Sequence, residues 1–389
     1  MAWIPPEHKL DPQQREYLDK KEYNQFNSWI KGFPGSGKSV LLAYTLKEIK
    51  TRTPSPSVVV VVFTRSLVQM FSEAFKEMGI SVPVQTFYQF MNSNTHYDYV
   101  LCDEVQDLVP SVLREMRRKA SHVVVSGDEN QSIYERDPKY NEATISSSEI
   151  SQLLSTNSFK LNIIHRLSSS IISVINRFLP NLDIFAATRD LTHEDTQVRM
   201  CEAYNLNEEV KYIMREGIKA SNVGETAVVL LPTRNDVIRF ANTALSTENK
   251  SVWVEKLDKW GKLDFYSLNS HLRSNGIKLK YVGNGVGEFE NSNGKVILMT
   301  YHSSKGLDFD NVFLPFLNSS LFIVPKESLS KTLFMVAMTR SRNNLYLTYT
   351  GYKHFYLELF SDECNEINIH DALNANAAIK TNNENPFGI

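Results

Sequence analysis

The stretch that decides the fold is Gly32-Phe33-Pro34-Gly35-Ser36-Gly37-Lys38-Ser39, which fits the phosphate-binding pattern G-x-x-x-x-G-K-[ST]. Its glycines let backbone amides point inward, a predicted helix over residues 39–50 presents its positive end, and Lys38 adds a mobile charge. Ser39 is the natural Mg²⁺ ligand of such a loop. The segment therefore predicts binding of a nucleoside triphosphate, ATP or GTP, together with Mg²⁺.

The composition of the whole chain limits the class of protein that can contain this loop. The chain has 389 residues, enough for two domains that each bury a core, and its 42 basic and 44 acidic residues nearly cancel. Nucleic-acid binding must therefore be local. The three cysteines, Cys102, Cys201 and Cys364, lie far apart, which favours a reducing compartment over a zinc site. The longest aliphatic block is residues 58–63 and no signal-peptide pattern begins the chain, so we expect a cytoplasmic protein without membrane contact.

Apolar strand-like runs alternate with helical patterns along the chain, which predicts α/β architecture with parallel sheets. Strands are expected at 58–63, 97–102 and 122–126, and a second series runs from residue 198 to residue 350. The predicted domains are 1–150, which binds ATP, and 151–370, which carries a small insertion near 246–275. The polar stretch 141–158 is expected to link them, and the asparagine-rich segment 371–389 to be a flexible tail.

Two polar segments follow predicted strands of the first domain. Strand 97–102 ends in Asp103-Glu104-Val105-Gln106-Asp107, where Asp103 can hold Mg²⁺ and Glu104 can orient and deprotonate an attacking water. After the next strand comes Gly127-Asp128-Glu129-Asn130-Gln131-Ser132-Ile133-Tyr134, in which Gln131 could sense the γ-phosphate. A solvated acidic turn and an ordinary polar loop are the alternatives when each segment is taken alone.

Together these segments resemble the second and third motifs of the UvrD/Rep-like helicases of superfamily 1A. Further segments resemble the remaining motifs in order: Gln14 with its neighbours, Phe63-Thr64-Arg65, Gln85-Thr86-Phe87-Tyr88, residues 161–166, residues 300–310 and residues 336–342. The resemblance spans roughly residues 10–350 and rests on eight ordered matches. It implies two tandem RecA-like P-loop NTPase domains with parallel sheets, and ATP and Mg²⁺ as cofactors.

The resemblance also implies roles for individual residues. The catalytic set is Glu104, Gln131, Arg166 and Arg340, with both arginines placed in the second domain and aimed at the γ-phosphoryl group. Besides the phosphate loop, the nucleotide contacts are Gln14, His165, Gly306 and Asp308, and the metal ligands are Ser39 and Asp103. The nucleic-acid contacts are Phe63, Thr64, Thr86, Tyr88, Tyr134, Arg136, Thr300 and His302. For each aromatic alone, a place in the core is the alternative.

The chain departs from the family pattern at several positions. Tyr134-Glu135-Arg136 lacks the tryptophan that usually stacks on a base, although Arg136 could stack or grip a phosphate. His165 replaces a tyrosine that normally packs on adenine, and Asp308 replaces a glutamate. The accessory subdomain expected between Tyr88 and Asp103 is absent. These departures indicate a reduced, two-domain form of the motor.

The leading hypothesis is a DNA-stimulated ATPase that translocates 3′ to 5′ along single-stranded DNA and unwinds short duplexes. A second hypothesis makes the chain a nucleotide-gated DNA-sensing subunit of a nuclease-containing repair or anti-phage complex, because accessory subdomains are missing. An RNA-directed motor of the same superfamily is a third, which the preference of the family for DNA disfavours.

Overall fold

The computed structural model describes residues 4–180, 188–189, 195–283, 285–287, 289 and 294–375. By contact, these residues divide into two compact units. The first contains residues up to Arg166 and the pair 188–189, and the second contains residues 167–180 and those from 195 onward. No helix among the described residues has the length and apolar character needed to span a bilayer.

The first unit is built on a six-stranded sheet. Its strands and helices are, in chain order, α1 (Pro12–Lys20), β1 (Asn27–Gly32), α2 (Lys38–Lys50), β2 (Val58–Val62), α3 (Arg65–Glu77), β3 (Val84–Thr86), α4 (Phe87–Asn92), β4 (Tyr97–Cys102), α5 (Pro110–Lys119), β5 (Ala120–Gly127), β6 (Arg136–Asp137), β7 (Glu142–Ala143), α6 (Ser147–Leu154), β8 (Thr156–Leu161), β9 (Ile163–Ile164) and β10 (Thr188–Arg189). The sheet order is β3-β2-β4-β5-β1-β8 and every pairing in it is parallel.

Strand β2 shows why the sequence folds this way. Its five residues are all valine and all buried, because helices cover both faces of a parallel sheet. Val58, Val60 and Val62 join the apolar cluster on one face, whereas Val59 and Val61 join the cluster on the other. The carboxyl ends of the parallel strands therefore meet at one edge, where the loops after β1, β4 and β5 lie together.

The second unit contains a seven-stranded parallel sheet. Its elements are α7 (Ser169–Phe178), β11 (Gln197–Ala203), α8 (Leu206–Asn222), β12 (Ala227–Leu231), α9 (Arg234–Thr247), α10 (Phe265–Ser274), β13 (Leu279–Tyr281), β14 (Val296–Thr300), β15 (Phe309–Leu314), α11 (Glu327–Met338), β16 (Ser341–Thr350), α12 (Phe355–Glu358) and β17 (Asn365–Asn368). The strand order is β13-β14-β12-β15-β16-β11-β17. The two parallel sheets confirm the predicted α/β class.

The prediction that residues 141–158 form a linker between the domains is wrong. This stretch contains β7 and α6, and its last residues enter β8, which pairs with β1 from Asn27 to Gly32. Strand β8 looked like a linker because it lies at the edge of the sheet and most of its side chains are exposed or half-buried. A boundary at residue 150 would cut α6, and the first unit continues to Arg166.

The insertion near 246–275 is packed into the second unit. Trp253 is 3% exposed and shares its apolar cluster with Phe265 and Leu268 of α10. The expected tail begins with a helical turn over residues 371–375, in which Ala372 and Leu373 pack against the same cluster. The rest of the expected tail, 376–389, lies outside the described residues.

Candidate functional site

The phosphate loop leaves β1 and enters α2 through two glycines in the left-handed region. Gly35 has φ of 74° and Gly37 has φ of 79°, which L-residues with side chains rarely adopt. A Cβ on Gly35 would also lie 2.8 Å from Cβ of Arg166, and one on Gly37 would collide with Nε2 of Gln14. Both glycines are therefore required by backbone conformation and by close neighbours.

The Lys38 ammonium and the Ser36 hydroxyl of the phosphate loop are both buried. Lys38 Nζ donates to the carbonyl oxygens of Gly32 and Phe33, at 2.9 Å each, and the side chain is 8% exposed. Ser36 is fully buried, and its hydroxyl has no hydrogen-bond partner among the described residues. A phosphate group could supply that partner. The loop thus has the cation and the orphaned hydroxyl that a nucleotide site requires.

Ser39 and Asp103, the predicted metal ligands, are brought together. Ser39 Oγ donates to Asp103 Oδ2 at 2.6 Å, and Ser126 Oγ donates to Asp103 Oδ1 at 2.6 Å. Burial, followed by the charge of Glu104, raises the pKa of Asp103 to about 6. The described residues contain no group of three or more histidine, cysteine or acidic side chains able to hold a metal by themselves. A hydroxyl with one carboxylate suits Mg²⁺, which completes its shell with water and phosphate oxygens.

Glu104 occupies an unusual backbone conformation beside this pair. Its φ of 58° is left-handed, and the side chain is 7% exposed. A left-handed backbone is energetically unfavourable for a residue other than glycine, so contacts with the surrounding structure must stabilise it. Gln106 restrains the Glu104 side chain, because Gln106 Nε2 donates to the Glu104 carboxylate. Its Oε1 accepts from the Asp128 amide at 3.2 Å. The buried Gln131 lies in the same loop and donates its backbone amide to the Asp128 carbonyl.

Sequence reasoning quoted Gln106 but gave it no role. The structure shows that it connects the loop after β4 to the loop after β5. Gly127, at the end of β5, has no room for a Cβ because Gln106 Oε1 occupies that space. The role of Gln106 could have been inferred from its position, because an amide side chain two residues after Glu104 lies on the same short turn.

Gln14 and His165, predicted to contact the base, both lie beside Gly37 of the phosphate loop. Asp11 caps α1 by accepting from the Gln14 amide at 2.9 Å, and Gln14 Oε1 accepts from the Asp11 amide at 3.1 Å. His165 Nε2 lies 2.7 Å from Asp11 Oδ2, and the His165 amide donates to the Gly35 carbonyl at 2.9 Å. Asp11 thus touches both candidates, and sequence reasoning missed it.

The pKa of Asp11 reflects these contacts. Burial acts to raise it, but the hydrogen bond to His165 and those from the backbone of Gln14 and Gln13 outweigh burial, so the net pKa is lowered. The carboxylate therefore stays ionised at neutral pH and holds both the helix cap and the imidazole.

Arg166 does not lie where the sequence placed it. It was assigned to the second domain, but it belongs to the first unit and its Cβ lies against the left-handed Gly35. The reason is that β8 pairs with β1 and carries the following residues directly back to the phosphate loop. A catalytic arginine at this position would act from within the nucleotide-binding unit.

The predicted nucleic-acid contacts of the first unit are close together. Phe63 stacks on Tyr134 with ring centroids 4.3 Å apart and touches Phe87 at 5.0 Å, while Phe87 and Tyr88 are 4.0 Å apart. Arg136 is exposed, and its Nη1 donates to Asn141 Oδ1 at 2.7 Å.

The two threonines predicted to contact nucleic acid act as helix caps. Thr64 accepts from Leu67 N at 3.2 Å at the start of α3, and Thr86 is 9% exposed and accepts from Gln89 N at the start of α4. Thr86 also donates to Gln89 Oε1 at 3.1 Å, so its hydroxyl is engaged by its own helix. Contact of Thr86 with a strand would have to compete with that cap.

The remaining predicted residues lie in the second unit. Thr300 is 7% exposed and its hydroxyl donates to Ser303 Oγ at 2.9 Å, while burial, followed by the charge of Lys305, lowers the pKa of His302. Gly306 has φ of 79°, and Asp308 lies 3.9 Å from the Arg342 guanidinium. Thr300 is the last residue of β14, and His302, Gly306 and Asp308 follow it before β15.

Arg340, the predicted arginine finger, is 2% exposed. Its guanidinium donates to the carbonyl oxygens of Val336 and Leu307, at 2.9 and 3.2 Å, and to Thr339 Oγ1 at 3.0 Å. In this conformation the side chain acts as a structural tie between α11 and the loop before β15. Sequence reasoning gave no sign of that engagement, because it depends on the tertiary contact with Leu307.

Known families match both units. Residues 14–137 match the AAA domain model, and residues 268–352 match the UvrD-like helicase C-terminal domain. No curated protein matches the chain. Similar solved structures include an arterivirus nonstructural protein 10 helicase, with 17% identity and a TM-score of 0.43, and its complex with DNA, with 15% identity and a TM-score of 0.42. Each comparison covers 87% of this chain and 63% of the viral chain, so this chain spans less than two thirds of those proteins.

The two family models together cover more than half of the chain, in the order that a P-loop helicase requires. The AAA match contains the phosphate loop and five of the six strands of the first sheet, and the C-terminal match contains β13, β14, β15 and β16 of the second sheet. The chain therefore contains an AAA domain and a UvrD-like helicase C-terminal domain, and in these two segments it is similar to the UvrD-like helicases.

Proposed function

We propose that this chain hydrolyses Mg-ATP and uses the energy to move 3′ to 5′ along single-stranded DNA, separating short duplexes as it goes. The observation that carries the proposal is the convergence, within one unit, of the phosphate loop, the Ser39–Asp103 pair, the buried Glu104 and the Gln14–Asp11–His165 contacts. The direction and the preference for DNA rest on family resemblance alone.

In this proposal each group near the loop has one task. Lys38 exchanges the carbonyl oxygens of Gly32 and Phe33 for phosphate oxygens. Ser39 and Asp103 would hold Mg²⁺, which when bound supplies positive charge to the phosphate oxygens. Glu104 accepts the proton of an attacking water, and Gln106 keeps the carboxylate oriented for that transfer.

Gln131 and Arg166 are proposed to respond to the γ-phosphoryl group. Gln131 follows β5 in the loop that Gln106 anchors, and Arg166 packs against Gly35. Because negative charge moves toward the leaving oxygen and is spread over the phosphoryl oxygens in the transition state, a guanidinium nearby favours that state over bound ATP. We place Arg166 in this role from the first unit.

Arg340 is proposed as the arginine finger on the strength of the sixth motif. Its guanidinium would have to exchange three internal hydrogen bonds for phosphate oxygens. That exchange would couple phosphate contact to release of the loop that contains Leu307. An arginine finger contributes about 10³ to 10⁵ in rate in related enzymes.

The test is steady-state ATP hydrolysis by the purified chain, with and without single-stranded oligothymidylate, using Lys38→Ala as the inactive reference. We expect strong stimulation by DNA that the reference lacks. An oligouridylate arm tests the preference for DNA, and displacement of streptavidin from either end of a biotinylated strand tests direction. Hydrolysis that no nucleic acid stimulates would refute the motor.

One observation favours a second candidate, the nucleotide-gated DNA-sensing subunit of a nuclease-containing repair or anti-phage complex. Helix α4 ends at Asn92 and β4 begins at Tyr97, so no accessory subdomain fits between them. Relatives rely on such subdomains for strand separation. Slow hydrolysis that responds to a partner protein and not to DNA would support this candidate, and unwinding by the isolated chain would count against it.

A further inference from the structure

Five aromatic side chains of the first unit form a continuous row. Tyr134 stacks on Phe63 at 4.3 Å, Phe63 touches Phe87 at 5.0 Å, Phe87 touches Tyr88 at 4.0 Å, and Tyr88 stacks on Tyr140 at 6.1 Å between centroids. The last two planes differ by only 21°. Tyr140 lies outside every motif found in the sequence, yet this half-buried ring ends a row that contains three predicted nucleic-acid contacts, Tyr134, Phe63 and Tyr88.

The β6–β7 hairpin holds Tyr140 in this position. Asp137 is 8% exposed, and its Oδ1 accepts from the amides of Lys139 and Tyr140 at 2.8 and 3.0 Å. Its Oδ2 accepts from the Tyr88 hydroxyl at 2.8 Å. One buried carboxylate thus fixes the turn of the hairpin and ties it to the row. A platform fixed in this way loses little conformational entropy when a ligand binds.

The hairpin also places a cation beside the rings, while its carboxylates Asp137 and Glu142 are engaged by hydrogen bonds and an ion pair. Lys139 is exposed, and its Nζ lies 5.0 Å from the Tyr88 centroid and 5.4 Å from the Tyr140 centroid. Arg136 is exposed at the start of the hairpin, where Asn141 orients its guanidinium. Rings that accept bases, next to cations that accept phosphates, are the combination that binds single strands without sequence preference.

We propose that the hairpin formed by β6 and β7 binds single-stranded nucleic acid, with Tyr140 stacking on a base and Lys139 neutralising a neighbouring phosphate. Tyr140 then provides the platform that the family builds from a tryptophan, which this chain lacks at Arg136. The inference rests on the proposed function, because it extends the strand along the same row of rings. It assigns the ligand to residues that no motif includes.

The experiment is a fluorescence anisotropy titration of a short labelled oligothymidylate with the full chain. We expect Tyr140→Ala to weaken binding roughly 5- to 100-fold, the range observed for loss of one base–aromatic stack. Tyr140→Phe keeps the ring and should bind like the unchanged protein. Tyr352→Ala, which removes a ring 87% exposed in the second unit, is the matched control and should also leave binding unchanged.

Two further measurements keep the test decisive if Tyr140→Ala does not fold. Lys139→Gln should reduce the slope of log affinity against log salt by about 0.7, the amount expected for one lost phosphate contact on a single strand. A 2-aminopurine base in the oligonucleotide should be quenched by the unchanged protein and less quenched by Tyr140→Leu. An unaltered salt slope together with unaltered quenching would overturn the inference.

The outcomes separate the two proposals. If the unchanged protein binds the oligonucleotide and Tyr140→Ala binds it equally well, the hairpin is only a packing element and this inference fails while the proposed function stands. If the unchanged protein binds no single strand, the proposed function fails first. An oligouridylate titration shows whether the hairpin distinguishes RNA from DNA.

Discussion

Replacing Glu104 with glutamine should stop ATP hydrolysis and at the same time stabilise the protein. Asp103 and Glu104 are adjacent carboxylates that are 2% and 7% exposed. Burial and then the charge of Glu104 raise the pKa of Asp103 from 3.8 to about 6. A glutamine has the same shape and still offers an oxygen to Gln106 Nε2, but it carries no charge.

The size of the gain follows from that pKa. A rise of about two pKa units corresponds to about 3 kcal/mol at neutral pH, since one unit is about 1.4 kcal/mol. Burial is the largest cause and the charge of Glu104 is the second, so removing that charge recovers part of this amount. We therefore expect Glu104→Gln to raise the free energy of unfolding at pH 7, by less than the roughly 3 kcal/mol that the whole shift represents. Hydrolysis should fall by about 10² to 10⁴, the usual contribution of a general base.

The gain should depend on pH in a defined direction. Because the pKa of Asp103 is raised in the folded state, its favourable contribution is complete below about pH 4 and is lost as pH rises through about 6. In the unchanged protein, repulsion between the two carboxylates is therefore present at pH 7 and largely absent near pH 4. The advantage of Glu104→Gln should shrink as the pH is lowered.

Urea denaturation without nucleotide, at pH 7 and pH 5, measures the stability. A fluorescent ATP analogue measures binding, which we expect to persist, and phosphate release measures turnover. Glu77→Gln, on the exposed end of α3, removes one carboxylate without touching the site and is the matched control. Unchanged turnover would remove Glu104 from the role of base. A loss of stability at pH 7 would show that the two carboxylates do not repel each other.

Three other substitutions test separate parts of the structure. Arg340→Ala should depress hydrolysis with little loss of ATP affinity and, because it removes three buried hydrogen bonds, should lower the free energy of unfolding by roughly 2–4 kcal/mol in urea denaturation; full activity and full stability would contradict both roles. Asp11→Ala should cost about 1–2 kcal/mol through the lost helix cap and should weaken ATP binding, whereas Asp11→Asn should keep the cap and lose only the affinity that depends on His165; equal stability of the two variants would refute the cap. Trp253→Ala should cost about 3–5 kcal/mol, while Trp260→Ala, at a position 72% exposed, should stay within about 0.5 kcal/mol; equal effects would place the insertion outside the core.

The parallel sheets could be predicted from the sequence because their central strands are buried on both faces. Strands such as Val58–Val62 appear as unbroken apolar runs, and the phosphate loop has fixed spacing. Strand β8 could not be recognised in this way. An edge strand has one neighbour and exposes many side chains, so Thr156–Leu161 has the composition of a loop.

Some residues of the candidate site could likewise be predicted from the sequence, and others could not. Residues within a few positions of one another, such as Lys38 with Ser39 or Asp103 with Glu104, were identified from spacing. The pairing of Asp11 with His165 joins residues 154 positions apart and depends on how β8 returns to β1. Tyr140 was missed for the same reason, since its place beside Tyr88 is set by the turn at Asp137.

The pairing of β8 with β1 also bears on how the protein is made. Lys38 is synthesised before His165, and the loop around Lys38 is not complete until β8 has paired and His165 has reached the Gly35 carbonyl. At about 5–20 residues per second, the ribosome needs on the order of ten seconds to add the intervening chain. During that interval the nascent protein has a phosphate loop that lacks β8 and the hydrogen bond from His165. A nascent chain halted after β5 should consequently hold ATP poorly, and one halted well beyond Arg166 should hold it firmly.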